Sequence, residues 1–377
     1  MRAARSGIIP YPIARQPWGM LIPLFMLVAF GAAVLYSAAG GSMQPFAASH
    51  LVRFGVALFM AMVIAVLPRP LVKLLTYPAY VAVLVLLIAV EAMGALRGGS
   101  QRWLDLGFMV LQPSELMKPV IVVTLASFYS TLPVGMVTNW RSLFVPGAMI
   151  VLPMGLVLMQ PDLGTSLAIA FGGGVVMLLA GLPLRWFFAA GLSAMAATPL
   201  VFYFGLQEYQ QRRILTMFDT EADVLGASYH INQSKIAIGS GGLFGKGFNN
   251  GSQSHLQYLP EPHTDFVFAT MAEEWGLAGG IFVIAVFSII LRWGLNVARE
   301  SRDRFASLLA AGMSATIFFY IAVNLMMVMG MAPVVGIPLP FMSHGGSSML
   351  TNMICIGALM MVNRWNQDAP RSGLMNN

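Results

Sequence analysis

An acidic side chain stands where an apolar run begins, in "LPEPHTDFVFATMAEEW" (residues 259–275). Asp265 precedes the run, and a carboxylate at a membrane boundary is costly enough that it usually has a function. It could act as a general base that takes the proton of an attacking hydroxyl group. The alternative is a helix N-cap, which aspartate also favours. Glu273 and Glu274 lie about 12 Å further along a helix, so we expect them to pair with structural partners or to balance protons.

The stretch "RGGSQRWLDLGFMVLQPSELMK" (97–118) places charges within an apolar helix. Pro113 is typical of the first position of a helix. Gln112, Glu115 and Lys118 follow one another at a spacing of three and therefore share one helical face. Two interpretations remain open. Glu115 and Lys118 form an ion pair that makes both tolerable in the membrane, or they face a polar chamber that opens outward and includes Arg102.

Three further motifs carry polar residues beside glycines or prolines. In "QPDLGT" (160–165), Asp162 is either a helix cap or a direct contact to a substrate. In "QSKIAIGSGGLFGKGFNN" (233–250), Lys235 and Lys246 accompany a glycine-rich segment that lacks a nucleotide-binding pattern, so a lipid-linked diphosphate is a better candidate ligand. In "GIPLPFMSHGGSS" (336–348), Ser343 and its neighbours form either a plain re-entrant turn or a substrate contact.

Composition identifies the elements that must hold these residues. The chain has 377 residues, of which 58% are hydrophobic and only 10% are charged. Apolar runs of about 20 residues recur along its whole length, which is typical of a polytopic helical membrane protein. We therefore expect an all-α fold with about ten transmembrane helices, near 18–40, 47–67, 71–93, 113–132, 143–159, 163–181, 184–206, 266–292, 305–330 and 346–363.

The distribution of basic residues predicts the orientation. Most of the 21 lysines and arginines fall in the segments on one side, which by the positive-inside rule is the cytoplasm. Both termini are then cytoplasmic, and a large loop between helices 7 and 8, residues 207–265, is periplasmic. We interpret residues 1–377 as a single transmembrane domain that contains this loop. The net charge of +6 reflects loop arginines and does not indicate a nucleic-acid partner.

Taken together, these motifs resemble the SEDS family (shape, elongation, division and sporulation proteins) over essentially the whole chain. The segments that carry the resemblance are "QRWLDLG", "QPSELMK", "QPDLGTS", "QSKIAIGSGGLFGKG", "LPEPHTDFVF" and "PLPFMSHGGSS". Two segments, "QSKIAIGSGGLFGKG" and "VVGIPLPF", are more similar to elongation members of the family than to division members. One departure is His344, where the family usually has tyrosine before the paired glycines.

The resemblance implies a peptidoglycan glycosyltransferase of the bacterial inner membrane. Such enzymes polymerise lipid II at the periplasmic face, forming β-1,4 links with inversion and releasing undecaprenyl diphosphate, for cell-wall elongation and rod shape. The expected partners are lipid II, an undecaprenyl diphosphate-linked glycan, membrane lipids and a class B penicillin-binding protein that acts as transpeptidase. Two alternatives remain: a transporter (flippase) of the lipid-linked precursor, and a non-catalytic scaffold for a transpeptidase.

The resemblance also assigns residues. The family's presumed catalytic aspartate falls on Asp265. We expect substrate binding by a set of polar residues from the motifs above, namely Arg102, Glu115, Lys118, Asp162, Lys235, Lys246, His263 and Ser343. The departing diphosphate needs positive charge, from these basic side chains or from a divalent cation, Mg²⁺ or Mn²⁺. We predict no protein ligands for a metal and no other cofactor.

Overall fold

The computed structural model describes residues 16–93, 95–97, 100–105, 110–137, 139–204, 211, 227–256, 258–259 and 261–368. Its helices are α1 (Trp18–Ala38), α2 (Phe46–Ala65), α3 (Arg69–Met93), α4 (Pro113–Thr131), α5 (Trp140–Met159), α6 (Leu163–Leu179), α7 (Leu184–Phe204), α8 (Ala227–Ser240), α9 (Ser252–His255), α10 (Val267–Glu300), α11 (Arg304–Val328) and α12 (Gly346–Asp368). Most of the predicted 207–265 loop before residue 227 lies outside these residues.

The ten long helices coincide with the ten predicted apolar runs, while α8 and α9 lie in the loop between α7 and α10. Seven of the helices within the described ranges are long and apolar enough to cross a membrane by length and composition, and α6 is a shorter apolar helix. The chain is therefore a multi-pass α-helical membrane protein. The number of ten spans and their orientation remain predictions.

A small antiparallel sheet is the exception to the all-α expectation. Strand β1 (Ala95–Arg97) pairs with β2 (Ser100–Asp105), which pairs with β3 (Val110–Leu111). The sheet connects α3 to α4. The sequence did not predict it, because its strands are too short to show an alternating pattern of apolar and polar residues. Its position matters for the site, since β2 carries Arg102.

Helix α11 is central in the bundle. It packs against α4, α6, α10 and α12. In the apolar stretch of α11, 67% of the residues are buried, whereas the corresponding share in α2, α3 and α5 is 22–28%. Peripheral helices turn most of their surface outward, where lipid would surround them. Polar side chains on α11 therefore lie among other helices, where each needs a hydrogen-bond partner.

Helix α10 is broken near its start. Gly276 has φ 62° and ψ −158°, which divides the helix after Trp275. The glycine-rich segment 241–247 packs against this break and replaces its missing helical bonds. The N–H groups of Lys246 and Gly247 donate to the carbonyls of Glu273 and Glu274. In return, the N–H groups of residues 277 and 278 donate to the carbonyls of residues 242 and 243.

This pairing of two backbones explains why the segment is rich in glycine. A Cβ atom on Gly245 would overlap the carbonyl group of Glu274, and one on Gly241 would overlap the carbonyl of Ala272. Gly245 also has φ +80°, a conformation that is strained for other residues. The glycines therefore allow close backbone approach, and at least two of their neighbouring N–H groups are already bonded. The segment is therefore a structural clamp on α10, and binding of a diphosphate beside it stays a prediction.

Alanine substitutions along this segment are expected to separate backbone strain from steric overlap. Gly245→Ala should lower the free energy of unfolding by about 3 kcal/mol or more, because both effects act there. Gly242→Ala, with φ +57° and nothing within 4 Å of its new Cβ, should cost about 1 kcal/mol. Gly239→Ala meets neither problem and serves as the control. Thermal unfolding in detergent measures all three, and equal midpoints would contradict the clamp.

Candidate active site

Asp265 lies two residues before helix α10 begins at Val267. The N-cap position belongs to Phe266 and carries no side-chain capping bond, so the N-cap interpretation of Asp265 is wrong by one residue. Its carboxylate is partly exposed, and its Oδ2 atom lies 3.7 Å from where a Cβ on Gly336 would be. Asp265 therefore faces the segment between α11 and α12.

That segment, residues 335–337, joins the two halves of the predicted site. On one side it passes Asp265. On the other, Gly164 of the "QPDLGT" motif approaches so closely that a Cβ there would lie 2.8 Å from the carbonyl oxygen of Val335. Asn324, on α11, donates to the carbonyl of Asp265 at 2.9 Å and to that of Ile337 at 2.8 Å. Motifs 160–165, 261–266 and 336–348 thus meet in one place.

Asp162 acts as the cap of α6 and also as the partner of two other motifs. Its Oδ1 accepts from the N–H of Thr165 at 3.1 Å, as expected of a helix cap. Its Oδ2 accepts from Gln112 at 3.2 Å and lies 3.8 Å from the guanidinium of Arg102. Arg102 also donates to the carbonyls of Gln160, at 2.7 Å, and Pro161. This cluster fixes the turn between α5 and α6 beneath the β-sheet.

Glu115 and Lys118 face the interior of the bundle, as their spacing predicts. The Lys118 ammonium donates to Glu115 Oε1 and to the hydroxyl of Tyr320, both at 2.6 Å. The same hydroxyl donates to Glu115 Oε2. Lys118 is only 1% exposed, and Tyr320 is fully buried. The three groups satisfy one another's charge and hydrogen bonds, which makes an ion pair affordable at this depth.

Glu115, Lys118 and Arg102 do not line the single shared chamber that the sequence predicts, but lie in two separate clusters. Arg102 contacts neither of the other two, and its donors go to the 160–162 turn and to Asp162. Gln112 and Glu115 lie one turn apart at the start of α4, so the two clusters are adjacent. The result is two packed polar clusters, of which Glu115–Lys118 is closed to solvent.

Lys246 and Glu273 form a second ion pair, between an exposed lysine of the loop and a buried glutamate of α10. The Lys246 ammonium donates to Glu273 Oε1 at 2.6 Å, and Glu273 also accepts from Ser252 and from the N–H of Gln253. Glu273 is fully buried. Glu274 accepts from Ser37 on α1. Both glutamates thus have the structural partners expected of them. Lys246 is held by Glu273 but stays exposed, so its contact with a substrate remains a prediction.

Lys235 and Ser343 occupy different environments. Lys235 is exposed, and its side chain lies over Gly330, just beyond the end of α11. Ser343 is buried, and its hydroxyl accepts from the N–H of Leu339 at 2.9 Å. The serine therefore holds the turn before α12, and its contact with a substrate stays a prediction. Lys235 remains accessible to a ligand.

His263 belongs to an aromatic and basic cluster at the start of α2. Its ring stacks on Phe46 at 4.0 Å between centroids, and its carbonyl accepts from the N–H of His344. The Nε2 atom of His344 lies 2.8 Å from the hydroxyl of Ser49 and 2.9 Å from a guanidinium nitrogen of Arg53. The histidine that replaces the usual tyrosine thus accepts a hydrogen bond from an arginine.

Both histidine rings are neutral near pH 7. Burial lowers the pKa of His263, and the nearby Glu261 carboxylate acts in the opposite direction. Burial, together with the positive charge of Arg53, lowers the pKa of His344 to about 4. Neither ring therefore supplies positive charge to an anionic substrate. In this cluster Arg53 supplies it, and among the described residues no carboxylate lies within ion-pairing distance of its guanidinium.

Comparison with known proteins identifies the family to which this chain belongs. The sequence profile of the FtsW/RodA/SpoVE family, described as "Cell cycle protein", matches residues 17–368. This chain belongs to that family. The match includes all the clusters described above, from Arg53 to His344.

Several similar proteins are named as peptidoglycan glycosyltransferases. MrdB of Escherichia coli (strain K12) is 39% identical over 348 residues, which cover 91% of this chain and 92% of MrdB. A probable peptidoglycan glycosyltransferase FtsW of Synechocystis is 34% identical over 79% of this chain and 74% of its own. Stage V sporulation protein E of Bacillus subtilis is 36% identical over 75% and 77%.

Solved structures agree with the fold. The crystal structure of RodA, the rod shape determining protein of Thermus thermophilus, is similar at a TM-score of 0.70 and 29% identity, over 93% of this chain and 97% of RodA. A chain of a peptidoglycan synthase complex that coordinates polymerization and crosslinking is similar at a TM-score of 0.81 and 28% identity, over 94% and 99%. The family member described here is thus a RodA-like peptidoglycan glycosyltransferase with a role in cell-wall elongation.

Three residues of the site were not singled out from the sequence: Arg53, Tyr320 and Asn324. Arg53 interrupts an apolar span, which is a usable signal. Tyr320 and Asn324 lie four residues apart on α11, a spacing that places both on one face. A tyrosine and an asparagine are common enough in membrane helices that only their contacts reveal their importance.

Proposed function

We propose that this family member polymerises lipid II at the periplasmic face of the inner membrane, with Asp265 as general base. The Asp265 carboxylate takes the proton of the acceptor sugar's 4-hydroxyl as that oxygen attacks the anomeric carbon of the donor. The bond from that carbon to the diphosphate breaks, and undecaprenyl diphosphate leaves with the bonding electrons. An α-linked donor then gives a β-1,4 product, and the proton passes from Asp265 to solvent.

The observation that carries this assignment is the meeting of three motifs around Asp265. Its carboxylate is partly exposed at the mouth of the bundle, while its backbone is held by Asn324 and its side chain lies against Gly336. A general base needs an accessible oxygen in a fixed position. Two other carboxylates of the predicted site suit the role less well, because Asp162 caps α6 and Glu115 is buried in its pair with Lys118.

The leaving diphosphate requires positive charge. Lys118, Lys246 and Arg102 each have a carboxylate neighbour, so their charge is largely compensated. Arg53 and Lys235 have no carboxylate within ion-pairing distance among the described residues. We therefore assign diphosphate binding first to Arg53 and Lys235, with Lys118 contributing when bound substrate opens the closed cluster and its diphosphate competes with Glu115 for the Lys118 ammonium.

A divalent cation held by the protein alone does not fit these residues. Within the described ranges, no group of three or more histidine, cysteine, aspartate or glutamate side chains is placed to hold a metal ion. Mg²⁺ and Mn²⁺ prefer several oxygen ligands, and near Asp265 the carboxylates of Asp162 and Glu115 already have other partners. The proposed steps therefore use only side chains of this chain.

The proposed partner is a class B penicillin-binding protein. The similar chain of known structure belongs to a peptidoglycan synthase complex that coordinates polymerization and crosslinking. A polymerase and a transpeptidase that act on the same strand must face the same compartment. The arginine asymmetry supports a periplasmic site, because it leaves the side that carries Asp265 poor in basic residues in its short loops.

Membrane vesicles of opposite orientation test the reaction and its side together. Short-chain, fluorescently labelled lipid II is added to right-side-out and to inverted vesicles that contain this protein and a fixed amount of its transpeptidase partner. Polymer above the level of Asp265→Asn vesicles is expected only in the right-side-out preparation, because the added substrate reaches only the outer surface. Polymer formed only by inverted vesicles would place the site in the cytoplasm and contradict the proposal.

A further inference from the structure

Helix α11 carries a polar stripe that touches both halves of the site. Tyr320 and Asn324 are four residues apart and fully buried. Tyr320 contacts the Glu115–Lys118 pair, and Asn324 one turn later contacts the backbone of Asp265. About one turn of α11 thus lies between the side chain that contacts the ion pair and the side chain that contacts the main chain of Asp265.

The amide of Asn324 is committed to two loops. Both its hydrogen bonds are donated by Nδ2, to the carbonyls of Asp265 and Ile337. Its Oδ1 atom is buried and has no hydrogen-bond partner within the described residues. Leaving a buried acceptor unpaired is unfavourable, so the residue's contribution lies in its two donated bonds. These tie the start of α10 to the 335–337 segment, against which the Asp265 carboxylate lies.

We propose that Asn324 is a positioning residue for the polymerisation reaction, which holds Asp265 at a fixed distance from the Glu115–Lys118 pair through α11. The inference rests on the proposed role of Asp265 as base. Asn324 touches no reacting atom. It acts through the Asp265 main chain, and a displacement of about 1 Å at a reacting group can reduce a rate by about 100-fold.

Asn324→Leu tests the assignment, because leucine has a similar volume and donates no hydrogen bond. With purified protein and labelled lipid II, kcat is expected to fall by about 10- to 100-fold, while KM for lipid II changes by less than about threefold. A purely structural residue would lower the amount of folded protein without this division between kcat and KM. Rates are therefore expressed per folded molecule, at a temperature well below the thermal unfolding midpoint.

Arg304→Met is the matched control. Arg304 lies at the other end of α11 and also donates two side-chain bonds to carbonyls of neighbouring elements, those of Leu132 and Ala180. It should lower the unfolding midpoint and leave kcat unchanged. Asn324→Asp keeps the shape of the side chain and has at most one proton to donate, so an intermediate kcat is expected. If Asn324→Leu does not fold, the kcat of Asn324→Asp tests the positioning role instead.

The outcomes distinguish this inference from the function on which it rests. If Asp265→Asn is inactive and both Asn324 variants keep wild-type kcat, the positioning role is wrong and Asp265 remains the base. If Asp265→Asn is fully active, the proposed base is wrong, and a loss in Asn324→Leu would then be structural. Equal loss of kcat in Arg304→Met and Asn324→Leu would also overturn the inference.

Discussion

Asp265→Asn is expected to lower polymerisation of lipid II by about 10²- to 10⁴-fold, the usual contribution of a general base. Asparagine has nearly the same shape, and the bond from Asn324 goes to the main-chain carbonyl of residue 265, so it survives the substitution. The substituted amide cannot take a proton from the acceptor hydroxyl. The measurement is the initial rate of chain formation by purified protein with its transpeptidase partner.

Two controls give this result its meaning. The unfolding midpoint of Asp265→Asn should match wild type, because the N-cap of α10 is Phe266 and the side chain at 265 does not occupy that position. Binding of the transpeptidase should also be unchanged. A folded, partner-bound Asp265→Asn protein that polymerises at nearly the wild-type rate would leave Asp265 a structural role and would revive the scaffold and transporter interpretations.

The helices were predictable because each has its own local signal. Apolar runs of about 20 residues mark a membrane protein, and Pro113 marks the start of α4, where it occupies the first turn. The spacing of Glu115 and Lys118 correctly predicted that both lie on one helical face, where the structure pairs them. Those inferences depend on the local sequence alone, which neighbouring elements do not alter.

The break in α10 and its clamp could not be derived in the same way. The glycines of segment 241–247 indicated close approach, but the surface that they approach lies about 30 residues further along the chain. Backbone-to-backbone pairing of that kind depends on no particular side chain, so it leaves no pattern to read. The same property made a structural clamp resemble a phosphate-binding loop, because both need glycines that bring N–H groups close to an acceptor.

Arg102 illustrates a different limit of sequence reasoning. Its partners in the 160–162 turn depend on how β2 packs against α3 and α4, and the strands that place it are two to six residues long. Elements this short are set by tertiary contacts more than by propensity. The sequence identified polar residues such as Arg102 and Asp162 as important. Which groups each of them hydrogen-bonds could be learned only from the fold.

Lys118→Met should reduce polymerisation by about 100-fold or more, the magnitude expected when one preorganised charged donor is removed from a site. Methionine preserves most of the volume and leaves Glu115 without its ammonium partner. An uncompensated buried carboxylate also destabilises the fold, by about 3–5 kcal/mol when a buried pair is broken from one side. The loss of rate in this variant alone therefore combines catalysis with stability.

The double variant Lys118→Met/Glu115→Gln separates the two effects. Both charges are absent, and the glutamine amide can still hydrogen-bond the Tyr320 hydroxyl, so the unfolding midpoint should recover toward wild type. If Lys118 contributes charge to the departing diphosphate, polymerisation stays low in the double variant. If Lys118 exists only to neutralise Glu115, activity returns together with stability. Rates and unfolding midpoints measured on the same three preparations decide between these roles, and recovery of full activity would remove Lys118 from the reaction.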